Sequence, residues 1–135
     1  TCEFNRYQET HPEFDKILDT RLSSYESLCG NFIFDSRMAW HFVPSAFSVY
    51  LKCDIAEAAK RVAKAGRSDE RYADEKEAAD KLLLRREREK KRYADFYGVD
   101  ITDMNNYDLV VDTTDKSVEE VVEAIIDGYK EKRGL

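Results

Sequence analysis

Apolar residues recur at helical spacing in four stretches of the chain, and this pattern predicts four helices. The first follows Thr10 and Glu13, which have the spacing of a capping box, and the last follows a second such pair, Ser117 and Glu120. Gly98 is suited to end the longest of the four. The predicted helices span about residues 10–30, 54–66, 73–97 and 117–129.

Three short apolar runs lie between these helices and predict strands. Each run resembles a strand that is buried on both faces of a parallel sheet. The runs are Asn31–Asp35, Phe47–Leu51 and Asp108–Asp112. Because strands alternate with helices, we predict an α/β fold with a parallel sheet, in one domain that covers residues 1–135.

The composition indicates a folded, acidic protein. Hydrophobic residues make up 42% of the 135 residues and charged residues 37%, a mixture that supports a core. No apolar run approaches the roughly 18 residues of a membrane-spanning helix. The net charge of −6 argues against a surface for nucleic acid. The 3 cysteines and 2 histidines lack metal-ligand spacing, so we predict reduced thiols in a cytoplasmic protein and no structural zinc site.

The glycines form neither of the two common phosphate-binding loops. None of the 5 glycines belongs to a GxxxxGK(S/T) or a GxGxxG motif. A backbone cradle for nucleotide phosphates is therefore missing from these residues.

Polar side chains follow the first predicted strand directly, at the edge where open α/β sheets bind ligands. Asp35 could hold a metal-bound water, and Arg37 could bind a phosphate through two parallel hydrogen bonds. The alternative is a local ion pair, or a cap for the residues that follow. Position alone leaves both interpretations open.

The longest predicted helix carries several arginines. Arg85, Glu89 and Arg92 have the spacing that puts side chains on one helix face, and Arg88 lies beside them. The like charges repel one another unless an anion is present, and a polyphosphate would supply that anion. The alternative is a solvated face with ion pairs between neighbouring turns, and the residues by themselves favour it.

Two carboxylates on the first predicted helix form a third candidate site. Asp15 and Asp19 are one turn apart and could accept a hydrogen bond from an exocyclic amine, as acidic side chains do from cytosine. Solvated charges opposite the apolar face are the simpler interpretation.

Three segments carry motifs that occur together in one known family. Residues 31–44 read NFIFDSRMAWHFVP, an apolar strand, an acid, an arginine and then a proline. Residues 85–122 read RREREKKRYADFYGVDITDMNNYDLVVDTTDKSVEEVV, and residues 11–21 read HPEFDKILDTR. Together they resemble the cytidylate kinases, which are P-loop nucleoside monophosphate kinases, and in particular the shorter branch of archaea and some bacteria. The resemblance extends from about Phe4 to Ile126.

The resemblance implies a three-layer parallel sheet and transfer of the γ-phosphoryl group of MgATP to CMP or dCMP. Asp35, Arg37 and Arg85 would be catalytic, with Asp35 positioning Mg²⁺ through water and Arg37 binding the acceptor phosphate. Arg85 would contact both nucleotides, and Glu89 would hold the acceptor ribose. The other implied positions are acceptor contacts at Asp15, Asp19 and Arg92, and ATP or lid contacts at Arg61, Arg67, Arg88, Thr113 and Thr114. Residues 1–30 would form the acceptor-binding helix region, and 66–97 the lid and long helix.

The chain departs from the family pattern in three respects. Ser36 stands where the family has glycine, and residues 39–42 are bulkier than usual. The family's first strand, phosphate loop and following helix are missing. We expect them to precede Thr1 in the parent protein, and we expect the 135-residue chain alone to be nearly inactive. In the family's sheet order, the missing strand lies between the first two strands predicted here.

Two other functions stay open. The chain could be a catalytically dead relative that binds a nucleotide or a partner, which Ser36 and the missing loop favour. It could also be an unrelated α/β domain whose charged helix mediates assembly. The kinase interpretation predicts small-molecule nucleotides as partners, with no nucleic acid, membrane or obligate protein partner.

Overall fold

In a computed structural model of the protein, residues 12–65 and 74–135 are described. The chain divides into two compact units, the first ending at Phe47 and the second running from Ser48 to Leu135. The prediction of a single domain stays a prediction.

The first unit is helical. Helix α1 spans Pro12–Ser24, a 3₁₀ turn spans Tyr25–Ser27, and the short helix α2 spans Ala39–Phe42. The sequence predicted that α1 would continue towards Gly30, but it ends six residues earlier. Serine side chains explain the early end, because the Ser24 hydroxyl donates to the Arg21 carbonyl at 2.6 Å and the Ser27 hydroxyl to that of Ser24 at 3.1 Å. Such local bonds favour a turn over a continued helix.

The prediction of a strand at Asn31–Asp35 is wrong. In the described part of the chain, these residues have no regular secondary structure and pair with no strand. The Phe32 and Phe34 rings lie against Tyr25, with ring centroids 4.9 and 5.1 Å from it. Ile33, between them, is fully exposed. The segment therefore keeps the alternation of an extended chain without the backbone ladder that defines a strand.

The second unit contains a parallel pair of strands. Strand β1 spans Val49–Lys52 and strand β2 spans Leu109–Asp112, and Val49 pairs with Leu109. The pairing confirms the predicted α/β class and the parallel direction of the strands. The sheet in the described residues has two strands rather than the three predicted.

Two helices lie between β1 and β2 in the chain, α3 at Ile55–Ala65 and α4 at Glu75–Tyr97. A third, α5 at Val118–Arg133, follows β2. Helix α3 packs against α4. Their most buried residues are alanines, Ala59 and Ala78, whose small side chains let helices approach closely. Helix α5 packs against β2 at Gly128, where a Cβ atom would come within 2.9 Å of a Leu109 methyl.

Two helix ends, at Gly98 and at Ser117, confirm predictions made from local sequence. Asp74 caps α4 by accepting the Glu77 N–H at 2.8 Å, and Gly98 ends that helix in the left-handed conformation, with φ of 67°. Ser117 and Glu120 form the predicted capping box of α5. The other predicted box, at Thr10, lies outside the described residues.

A cluster of hydrogen bonds and charges around Asp108 connects the residues that directly precede β1 and β2. The Ser48 amide and hydroxyl donate to one oxygen of Asp108 at 2.9 and 3.1 Å, and Lys132 of α5 donates to the other. Partial burial raises the pKa of Asp108, but the bonds from Lys132 and Ser48 outweigh it and hold the pKa below its ordinary value of 3.8.

This cluster predicts a specific dependence of stability on pH. Because the folded pKa of Asp108 is lowered, its stabilisation is complete above pH 3.8 and disappears as the pH falls through the folded value. Asp108→Asn should cost about 1 kcal/mol of unfolding free energy at neutral pH, given the half-exposed Lys132, and less at ~pH 3. Urea unfolding of the variant and the wild type at both pH values measures this difference.

Asp127→Asn is the matched control, since Asp127 is an exposed carboxylate on the same helix as Lys132. It should leave the unfolding free energy unchanged at both pH values. An equal loss for Asp108→Asn at neutral and acidic pH would contradict the electrostatic explanation.

Candidate functional site

The loop after β2 lies at the carboxyl end of the parallel strands, and several hydrogen bonds fix its conformation. The Thr113 amide and hydroxyl both donate to the Lys52 carbonyl, at 2.8 and 3.0 Å. The Thr114 amide and hydroxyl donate to Asp112 at 3.0 and 2.6 Å, and the Asp54 amide donates to the Thr114 hydroxyl at 3.0 Å. Thr113 is buried, with 9% of its surface exposed. These bonds give the loop one fixed shape.

The hydrogen bonds from Thr114 also fix the charge of Asp112. The Thr114 hydroxyl and amide lower the pKa of the Asp112 carboxyl, against a small opposing effect of burial. Lys52 lies 3.8 Å from the same carboxylate. Asp112 is therefore an anion at neutral pH and serves to shape the loop.

Arg61 of α3 reaches the same loop. Its Nη2 donates to the carbonyls of Thr113 and Thr114 at 2.8 and 2.9 Å, and its Nε donates to Glu57 at 2.8 Å. The sequence assigned Arg61 to the lid. The described geometry connects it to Thr113 and Thr114, the two loop residues that the resemblance assigned to ATP.

The face predicted on the long helix is present on α4. Arg85, Glu89 and Arg92 are all half-buried, whereas Arg88 is exposed. The Arg85 Nε donates to Glu89 Oε1 at 3.0 Å, and the Arg92 guanidinium lies 5.8 Å from the Tyr93 ring centre. The three half-buried residues thus share one side of the helix, and Arg88 lies apart from them.

Asp35 and Arg37 lie in the first unit and are both exposed. Asp35 does not end a strand, which corrects the sequence prediction, because residues 31–35 have no partner strand in the described residues. The turn that carries Arg37 is nevertheless ordered by local bonds. Ser36 Oγ accepts the Met38 N–H at 3.2 Å, and the Trp40 indole donates to the Arg37 carbonyl at 3.0 Å.

Ser36 occupies the position where the family pattern has glycine, and its hydroxyl has a clear local function. It stabilises the bend that precedes α2. This contact gives the substitution a structural reason that the sequence did not indicate.

Asp15 and Asp19 lie one turn apart on α1, and both are half-buried. A shallow depression of about 420 Å³ lies along a different side of the same helix. Its lining residues are Lys16, Ile17, Thr20, Arg21 and Ser24. The two aspartates therefore lie outside this depression, and their assigned contact with cytosine stays a prediction.

Arg67 and most of the predicted start of the lid lie outside the described residues. Within the residues that are described, no three His, Cys, Asp or Glu side chains cluster as metal ligands. A magnesium ion held through water by Asp35 alone would not require such a cluster. The helices of the described stretches include none that is both long and apolar enough to cross a membrane.

Sequence reasoning missed the residues that hold the loop after β2. The Lys52 carbonyl and the Asp54 amide that hold the loop are backbone groups, which leave no sequence signal. Asp112 did leave one, because an aspartate two residues before a threonine has the spacing of an Asx turn.

Comparisons with known proteins agree on one family. Residues 2–115 match the cytidylate kinase-like family. The chain is 39% identical to a cytidylate kinase of Thermoplasma volcanium and 38% identical to one of Pyrococcus abyssi, in both cases over 96% of this chain. It is also 34% identical, over 98% of its length, to an S-adenosylmethionine-dependent nucleotide dehydratase of Lacinutrix mariniflava.

These relatives are longer than the chain. The aligned region spans 67% of the Thermoplasma kinase, 71% of the Pyrococcus kinase and 27% of the dehydratase. The similarity to the dehydratase is therefore a similarity to one segment of that protein. No solved structure matches the chain.

Proposed function

Since this chain belongs to the cytidylate kinase-like family, we propose that the full-length protein transfers the γ-phosphoryl group of ATP to CMP or dCMP. The proposal includes a three-layer parallel sheet of the P-loop kinase type and a cytoplasmic location. The glycine-rich phosphate loop that such an enzyme uses is not among residues 1–135. The proposal therefore concerns the full-length protein rather than these residues alone.

The half-buried face of α4 is the observation that carries this proposal. Arg85 and Arg92 place two positive charges on one side of the helix, and Glu89 pairs with Arg85 at 3.0 Å. Partly buried like charges are costly unless an anion approaches them. A nucleotide phosphate supplies that anion, and the guanidinium fork fits its oxygens with two parallel hydrogen bonds.

In this function the carboxylate of Glu89 has two tasks. It orients Arg85 through the 3.0 Å bond, so that little side-chain freedom remains to be lost when substrate binds. Its other oxygen is suited to accept a hydroxyl of the acceptor ribose. Arg85 would then contact both nucleotides and Arg92 the acceptor.

Asp35 and Arg37 would act at the acceptor phosphate. The exposed carboxylate of Asp35 is a hard oxygen ligand and would hold Mg²⁺ through water, where the ion would neutralise phosphate charge. Arg37 would grip the acceptor phosphate and hold its attacking oxygen in line with the γ-phosphorus. Phosphoryl transfer asks the protein chiefly for alignment and charge neutralisation, and these residues supply both.

The second candidate is a nucleotide-binding module without catalysis. Ser36 favours it, because the residue adds a side chain where the family pattern has glycine. Under this alternative the protein would bind ATP and CMP but would not exchange phosphoryl groups between them.

A coupled assay of ADP release from the full-length protein tests the proposal. With MgATP as donor, we expect CMP and dCMP to be phosphorylated with kcat/KM at least about 100-fold above that for AMP or GMP, because acceptor choice requires specific hydrogen bonds to the base. Omission of Mg²⁺ should abolish turnover, since the ion neutralises the phosphates.

Equilibrium binding of CMP, measured by calorimetry on the same protein, separates the two candidates. Binding without turnover would support the non-catalytic module. Turnover with no preference for cytidine acceptors would reject the substrate assignment while leaving a kinase in place.

A further inference from the structure

Arg61 makes several hydrogen bonds to protein groups around α3. Its Nη2 donates to the Thr113 and Thr114 carbonyls at 2.8 and 2.9 Å, its Nη1 reaches the Thr113 hydroxyl at 3.4 Å, and its Nε donates to Glu57 at 2.8 Å. The bond to Glu57 also pairs the two charges across one helical turn. Most donors of this guanidinium are therefore directed at the loop and at Glu57.

The loop carbonyls gain short bonds from this donor. They follow directly after β2, where the strand pairing ends, and the Thr113 carbonyl also accepts the Lys116 N–H at a longer 3.4 Å. Thr113 is buried, so the 2.8 Å bond from Arg61 gives its carbonyl a well-placed partner. One guanidinium bonds Glu57 through Nε and both carbonyls through Nη2 at once, and a lysine, with a single nitrogen, cannot reproduce this geometry.

We propose that Arg61 is a positioning residue that fixes the Thr113–Thr114 loop and thereby shapes the binding site for the donor base, instead of binding phosphate itself. This inference rests on the proposed function, in which that loop lies beside the adenine of ATP. It replaces the role that the family resemblance implied for Arg61. It also explains why Glu57, a carboxylate that would repel a phosphate, lies 2.8 Å from the same guanidinium.

The test compares Arg61→Gln and Arg61→Lys with Lys60→Gln in the full-length protein. Lys60 is the exposed neighbour of Arg61 on α3, which makes it a control for charge. The first measurement is hydrogen exchange of the peptide that contains residues 112–116, by mass spectrometry. We expect at least about 10-fold faster exchange in Arg61→Gln, a smaller increase in Arg61→Lys and none in Lys60→Gln.

Steady-state kinetics give the second measurement. For Arg61→Gln we expect KM for ATP to rise about 10-fold, while kcat and KM for CMP change less than about 3-fold. Arg61→Lys should recover part of the ATP affinity. A fall in kcat of about 100-fold or more, with unchanged exchange in the loop, would mean that Arg61 contacts the reacting phosphates, and it would overturn the inference.

Failure of the proposed function is distinguishable from failure of this inference. If the wild-type protein phosphorylates no nucleoside monophosphate, the proposed function is wrong, and equilibrium binding of ATP takes the place of KM. Unchanged loop exchange together with unchanged ATP affinity in Arg61→Gln would reject the inference in either case. If Arg61→Gln does not fold, Arg61→Lys is used for both measurements. Loop exchange and ATP affinity equal to those of the wild type in Arg61→Lys would then reject the inference.

Discussion

Replacing Arg37 with alanine in the full-length protein is expected to lower kcat for CMP phosphorylation about 1,000-fold, the loss typical of an arginine that stabilises a phosphoryl-transfer transition state. Arg37 is exposed in a turn whose backbone is fixed by the Trp40 indole and by Ser36 Oγ. Removing the side chain should therefore leave the turn intact, and the melting temperature should change by less than about 2 °C.

Arg37→Lys separates charge from shape. A lysine keeps the positive charge but not the planar fork, so we expect it to recover only part of the lost rate. Differential scanning calorimetry and the coupled assay on both variants provide the two measurements. A large fall in melting temperature with intact turnover would instead support the local ion pair that the sequence left open.

Arg85→Gln is expected to have the second largest effect, a fall in kcat/KM of about 100-fold or more, because the variant removes a charged contact to both nucleotides. Glu89→Gln should chiefly raise KM for CMP, since the amide is a weaker acceptor for the ribose and no longer orients Arg85 by charge. The two side chains are bonded at 3.0 Å, so the double variant should lose less than the two single losses combined.

Arg86→Gln is the matched control on the same helix, because Arg86 is exposed and lies outside the half-buried face. It should leave kcat, KM and stability unchanged. If Arg85→Gln also left the kinetics unchanged and cost only about 0.5 kcal/mol of stability, the pair would be an ordinary solvated helix pair.

Local features of the fold were predictable from the sequence, and features that depend on distant partners were not. The caps at Ser117 and Gly98 rest on contacts within a few residues, and both are present. The strand at Asn31–Asp35 was predicted from its apolar run, but a strand also needs a neighbour to bond its backbone. The described residues contain none, and the Phe32 and Phe34 rings pack against Tyr25 instead.

The same distinction applies to the candidate site. The common face of Arg85, Glu89 and Arg92 follows from helical spacing alone, and their shared half-burial agrees with it. The contact between Arg61 and Thr113 joins residues 52 positions apart, and no spacing rule connects them. Only the folded arrangement of α3 and β2 reveals that this arginine is directed at the loop.

The ladder between β1 and β2 has a consequence for the order of folding events. Ser48 and Asp108, at its beginning, are 60 residues apart, and closing a chain segment of that length costs about 4 kcal/mol of entropy. Helices α3 and α4 lie within this segment and pack against each other. Association of α3 with α4 shortens the flexible segment that must close before β1 and β2 can pair. We therefore expect the helical pair to assemble early and the ladder to join late, so that the rate of folding depends more on the contact of α3 with α4 than on the strands themselves.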